Sequence, residues 1–350
     1  MPTVNPKSVI FGPQIIARRG PSFEARALRQ QVNVFAAANG HTRLMMRIYE
    51  RAVRELFAGL DRGTPLSQAR KRRILAQLRE MLPDINRRLE RILGLAQAAV
   101  IREQFAVSAR SLMSEAPLDF DPRIPQARLH ELVERGVGGK PLAPYVANMS
   151  EQAVREATKI MGAAIIEGKP LRKMVAELME MGETRRWATT LAHTTFMDSA
   201  DKARRAVFRE FRQVIDFYVV LTALDIRVCP RCAPLGPPKT YKDLRETPRL
   251  PVHPRCRCTL SARVKGTEQV NRPAVIDYKV SEGEDPTRGH RVRHVDGTTS
   301  TRFTPRNVAV NQYATFNEFF NDQDAAWQRS YLKRQSIGMG EFRRSMRGSA

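Results

Sequence analysis

All four cysteines of this 350-residue chain fall within 30 residues, as Cys229 and Cys232 in C-P-R-C and Cys256 and Cys258 in H-P-R-C-R-C, the second block opening on His253. A C-x-x-C turn lets two thiolates face one ion, and a second pair from a nearby loop completes a tetrahedron at Zn–S distances of about 2.3 Å. Five candidates compete for four places. H-x-x-C keeps the two-residue spacer of such turns, whereas C-x-C in an extended chain points its two side chains to opposite faces. Cys229, Cys232, His253 and Cys256 therefore rank first, with Cys258 replacing either His253 or Cys256 as the next choice. Four protein ligands leave no open position for water, so the expected cofactor is one structural zinc ion that orders the loop instead of catalysing. A disulfide pair, a redox C-x-x-C and metal-free thiols are the competing readings.

The pattern on either side of this loop sets the fold class. Residues 214–224, VIDFYVVLTAL, are β-branched and aromatic and read as a buried strand, and CTLSARV at 258–264 reads as a shorter one. Upstream the chain is helical. Apolar residues recur at three and four from Phe23, with breaks expected at Asn39-Gly40 and at Asp61 to Pro65, an end or kink near Pro83, and a further helix from about Asp84 to Leu112. After a proline-spaced linker at 116–126, helical pieces resume to Phe211, punctuated by Gly136, Gly138, Gly139, Gly168 and Gly182. Residues 266–312 read as polar and irregular, and Thr315-Phe316-Asn317-Glu318 has a capping-box pattern before a second helical candidate from Asp322 to Arg334. The expected fold is mainly α with a small α+β module: long N-terminal helices, a helical middle, short β-strands around the Cys/His loop, and an irregular C-terminal extension ending in short helices. The expected domains are a basic helical region 1–117, a core 118–265 whose loop spans 225–260, and an extended segment 266–350.

Lys and Arg number 59 against 36 Asp and Glu, a formal charge of +23 that demands a counter-charge. Residues 1–100 carry +11, residues 101–200 carry 0 and residues 201–350 carry +12, so two basic ends flank a neutral middle. Arginines outnumber lysines 47 to 12, and the planar guanidinium matches phosphate oxygens. Nucleic acid is the expected polyanion, with Arg72, Arg73, Arg87, Arg88, Arg204, Arg205, Arg255 and Arg257 as candidate contacts, against a solvated basic surface as the bland alternative. No run of about 20 apolar residues is present and the opening residues carry no cleavage-site pattern, so neither a membrane span nor a signal peptide is expected.

The order A-H-T-T to D-K-A-R-R (192–205), strand (214–225), C-P-R-C-A-P-L-G (229–236), K-T-Y (239–241) and P-x-H-P-R-C-R-C-T-L (251–260) resembles the phage Mu F-like head morphogenesis family, the minor head proteins of tailed phages. The resemblance covers about residues 127–265, and 313–334 is similar to the tail region some members carry. His193-Thr194-Thr195 departs from the Arg-Thr-Glu often found there. What the resemblance implies is a low-copy, non-enzymatic capsid protein near the portal that takes part in procapsid assembly and in packaging or delivery of DNA. Its partners would be the portal protein, where an oligomer could form, the major capsid or scaffold protein, and packaged double-stranded DNA bound without sequence preference. It would lie in host cytoplasm during assembly and inside the virion afterwards.

Two rivals remain. A toxin or nuclease carried in the head is one, with His290 and His294 on one face of a strand or Asp198 and Asp201 around magnesium. Solvated histidines and surface ion pairs with Lys202, Arg204 and Arg205 are the preferred readings of those residues, and no G-x-S-x-G, Walker or H-E-x-x-H pattern appears. A zinc-containing DNA-binding protein is the other, against which stand the absence of a helix-turn-helix or finger framework and an aromatic content of only 7%.

Overall fold

A computed structural model describes residues 23–60, 63–116, 118–222, 228–237 and 239–267, then 290–293, 299–302, 316, 320, 321 and 325–347. It is mainly helical with two small antiparallel sheets. The described residues fall into two compact units. Arg29–Val214 with Pro248–Arg257 form the first, and Ile215–Thr247 with residues 23–28 and the described part beyond Cys258 form the second.

The first unit is built on α1 (Phe23–Leu56), α2 (Gln68–Met113), α3 (Gln126–Glu134), α4 (Ala143–Ile166), α5 (Leu171–Glu180) and α6 (Gly182–Glu210). Rows at three- and four-residue spacing, such as Met45, Tyr49 and Val53 on α1 or Leu89, Leu93 and Ala96 on α2, close into one core with α4, α5 and α6. Seven of the 13 methionines are buried in it: Met45, Met46, Met149, Met161, Met174, Met181 and Met197. Because this core draws on α1 and α2 as well as on α4 to α6, the connection near residue 117 does not separate two cores.

Two expected helix breaks are absent. α1 runs unbroken through Asn39-Gly40, where Ala38 and Thr42 on the flanking turns are buried and the Asn39 amide oxygen bonds His193. α2 contains Pro83, so the helices expected before and after it are one helix of 46 residues. An interior proline costs about 3 kcal/mol. Leu78 before it and Ile85, Leu89 and Leu93 after it are all buried, and at about 1.5–3 kcal/mol for each such side chain the packing outweighs the defect. The Ser67 hydroxyl caps α2 by accepting from Arg70 N at 3.2 Å. Gly182 does not end α5 but opens α6, and the left-handed residue between them is Met181 at φ 33°. In place of a local cap, Glu156 of α4 accepts from the backbone N–H of Glu183 at 2.9 Å and of Thr184 at 2.7 Å.

In the second unit β1 (Ile215–Leu221) pairs antiparallel with β2 (Thr259–Val264), Tyr218 opposite Ala262 and Leu221 opposite Thr259. Both expected strands are therefore present, each within a few residues of its expected limits. Tyr241 covers the outer edge of β1 by exchanging both backbone hydrogen bonds with Tyr218, at 2.8 and 2.9 Å. Within the segment expected to be irregular, β3 (His290–Arg293) and β4 (Thr299–Arg302) pair antiparallel. α7 (Ala325–Gln335) and α8 (Met339–Arg347) follow, with Phe316, Phe320, Tyr331 and Phe342 buried against one another. The 1–21 arm, the acidic 282–285 patch, His294 and, apart from Phe316, the capping pattern at 315–318 lie outside the described residues.

Candidate metal centre

The 37 residues between β1 and β2 contain no strand or long helix among those described, and two tight turns organise them. In the first, Cys232 N donates to Cys229 O at 3.0 Å and the chain passes directly into a 3-10 turn, Ala233–Leu235. In the second, Cys256 N donates to His253 O at 3.1 Å, with Pro254 and Arg255 at the corner. Arg255 adopts φ 61°, the left-handed conformation that the third residue of a type II turn requires. H-P-R-C thus makes the same three-residue reach as C-P-R-C.

The ligand atoms of Cys229, Cys232 and His253 lie within 4.8 Å of one another, as do those of Cys232, Cys256 and Cys258. All five predicted donors are drawn into two overlapping triads, and Cys232 belongs to both. A tetrahedral site with Zn–S bonds of about 2.3 Å has ligand–ligand edges of roughly 3.8 Å, so these side chains need only small adjustments to enclose an ion. The three sulfurs of the second triad are buried, at 3%, 0% and 2% exposure for Cys232, Cys256 and Cys258, and none of the four cysteines is in a disulfide. His253 Nδ1 is 2.8 Å from the carbonyl of Pro254 and must carry the proton to donate there, which leaves the Nε2 lone pair for a metal. This donor set can hold a metal ion.

Cys258 differs from its expected place. An extended 256–258 segment would point the two side chains to opposite faces. Residues 256–258 precede β2, which begins only at Thr259, and the ligand atoms of Cys256 and Cys258 lie within 4.8 Å of each other and of that of Cys232.

The candidate phosphate contacts divide sharply by exposure. Arg72, Arg73, Arg87 and Arg88 project from α2, the last two pairing with Asp84 at 3.4 and 2.6 Å. Arg255 is exposed at its turn and Arg257 is half-buried. Arg204 and Arg205 do not face a polyanion. Arg204 is 2% exposed, donates to the side-chain oxygens of Gln31 and Gln104, and is pulled down to about 10 by burial. Arg205 donates to Asp201 at 2.6 Å and to the Pro248 carbonyl at 2.5 Å. Nor are the acidic partners on the surface: Asp198 and Asp201 are buried, and Asp198 holds Lys202 at 2.6 Å and the N–H of Gly138 at 3.0 Å. They form ion pairs as expected, but within the packing of α6. Burial pushes Asp201 above the ordinary carboxylate range, against the opposing pull of Arg205. The i, i+4 spacings Asp198–Lys202 and Asp201–Arg205 in D-S-A-D-K-A-R-R signal the pairing but not its burial, which sequence reasoning missed.

His193 is buried between Phe35 and its bond to Asn39 Oδ1, 2.7 Å away. Burial, and secondarily the charge of Arg255, pushes it down to about 4. Below the unfolded-state value of about 6.5 only the unfolded chain takes up the proton, so this contribution to stability is complete above about pH 6.5 and is lost as the pH falls towards 4. The melting temperature should therefore drop less between pH 7 and 4.5 in His193→Gln than in the wild type, and equal drops in the two proteins would contradict the assignment.

Among the described residues no helix is long and apolar enough to cross a membrane. Compared with models of protein families, with curated proteins and with solved structures, the chain has no match.

Proposed function

We propose that the chain is a non-enzymatic minor head protein of a tailed phage, a low-copy capsid component near the portal whose Cys/His loop is ordered by one zinc ion. The observation that carries this reading is the loop itself. Two three-residue turns, C-P-R-C and H-P-R-C, follow helix α6 and lie between two short strands, in the order on which the resemblance to the Mu F-like family rests. Zinc is favoured because the donors are cysteine sulfurs and an imidazole drawn together in two overlapping triads, a set that hard cations avoid. The exposed arginines of α2 and of the loop supply non-specific contacts to packaged double-stranded DNA. The portal protein and the major capsid or scaffold protein are its partners, and the virion interior is its place after assembly in host cytoplasm.

Quantitative mass spectrometry of purified phage particles should find the chain at a small fraction of the copy number of the major capsid protein. Its absence from both heads and procapsids would overturn the assignment. Purified protein should bind duplex DNA with an affinity that falls steeply with salt, and discrimination of more than about 10³ between sequences would mark it instead as a sequence reader.

A further inference from the structure

We propose that Asp201 and Arg205 are positioning residues of the metal centre, clamping the backbone of the Pro248–Arg257 segment so that His253 and Cys256 are presented in ligand geometry. The inference rests on the metal-centre reading above. Asp201 Oδ2 accepts from Leu250 N at 3.3 Å and from Arg205 Nε at 2.6 Å, while Arg205 Nη2 reaches the Pro248 carbonyl at 2.5 Å. One carboxylate and one guanidinium thus grip an N–H and a C=O that lie three and five residues before His253. Further along, Thr194 Oγ1 accepts from Arg255 N and Gln31 Nε2 donates to Arg257 O, each at 3.4 Å. The segment has no regular secondary structure, and all four of these grips come from α6 or α1 of the unit to which it belongs.

The chemistry of the clamp argues for a geometric purpose. Removing a carboxylate and a guanidinium from water costs several kcal/mol per ion, and apolar side chains of the same volume often serve stability as well or better. A charged pair held inside a helix bundle makes sense where its unused donors and acceptors fix something else, and here they fix the backbone beside two metal ligands. Groups hydrogen-bonded directly to metal ligands typically govern metal affinity by about 10–100-fold, which sets the scale for a clamp on the adjoining backbone. The helix carries its own control. Asp198 and Lys202 are a second, slightly more exposed i, i+4 pair on α6, but they hold Gly138 N and Gly136 O in the α3–α4 connection.

The test uses the full chain loaded with one equivalent of zinc, with affinity read by competition against a chromophoric chelator and fold by far-ultraviolet circular dichroism. Asp201→Asn should bind zinc about 10–100-fold more weakly at unchanged helix content. Asp198→Asn should melt earlier yet bind zinc within about twofold of the wild type. With cobalt(II) in place of zinc, Asp201→Asn should lose thiolate-to-metal charge-transfer intensity, a change that general destabilisation would not produce. Should Asp201→Asn not fold, Arg205→Lys keeps the charge but gives up the fork to Pro248, and it should show the same loss in milder form. Wild-type affinity in the folded variant, or an equal loss in Asp198→Asn, would overturn the inference. A wild-type protein that binds no zinc would instead overturn the metal-centre reading beneath it.

Discussion

Cys232→Ser should abolish stoichiometric zinc binding and release the 228–258 loop, with a larger effect than the same change at any of the other three cysteines. Cys232 is the one donor shared by both triads, so its loss leaves two donors in each, whereas removing Cys229 or Cys258 leaves one triad whole. Structural zinc supplies on the order of 10–16 kcal/mol in small peptides, enough to order a proline-rich loop with little apolar core of its own. Metal analysis should give less than about a tenth of an equivalent, and hydrogen exchange should rise to unprotected rates at Cys232, Ala233 and Cys256 while the α1–α6 core keeps its protection. Chelation of the wild type should reproduce that pattern. An unchanged zinc content in Cys232→Ser, or a loop whose exchange ignores chelation, would remove the metal from the account.

The second large effect is expected at Gly136→Ala. Gly136 has φ 59°, and a Cβ placed there would sit 1.8 Å from the carbonyl oxygen of Lys140 and 2.8 Å from Pro141 Cα, all of it backbone. The turn must therefore open. Opening it also disturbs a buried junction, because the Gly136 carbonyl accepts from Gln97 Nε2 at 3.3 Å and from Lys202 Nζ. A left-handed alanine, a backbone clash and two displaced hydrogen bonds together should cost about 3–5 kcal/mol. Gly138→Ala is the matched comparison. Its φ of 58° is equally unfavourable, but open space surrounds its Cβ, so only about 1–2 kcal/mol is expected. Thermal melts of the two variants, followed by helical circular dichroism, should differ severalfold in their shift, and similar shifts would show that the turn yields easily.

What could be read from the sequence was local chemistry with a short range. The strand β1 is announced by its β-branched run and β2 by its shorter one. The C-x-x-C and H-x-x-C turns are announced by spacer and proline. Most of the misreadings come from distant partners. Asn39-Gly40 and Pro83 carry real local penalties, yet each helix continues through them with buried rows on both sides. Helix α6 lacks a clean apolar stripe, so Asp198, Asp201, Arg204 and Arg205 looked like a solvated face. Asp198, Asp201 and Arg204 are buried and Arg205 is half-buried because Gln31, Gln104, the Gly136–Gly138 turn and the 248–250 backbone, tens of residues away or more, meet them with matching polar groups. Periodicity says which face is apolar and is silent on what covers the other. Cys258 has a local cause instead: the alternation expected of C-x-C belongs to a strand, and β2 begins only one residue later, at Thr259.

The seven methionines of the helical core make that core a chemical clock. A thioether sealed inside the bundle is shielded from peroxide, and oxidation to the sulfoxide can proceed only in molecules that have opened. Met45, Met149 and Met174 are each 0% exposed and sit on three different helices, so their sulfoxide yields, read by mass spectrometry after a timed pulse, would report how often α1, α4 and α5 part company. Matching yields would mean that the bundle opens as one body, and staggered yields would give the order in which its helices come away.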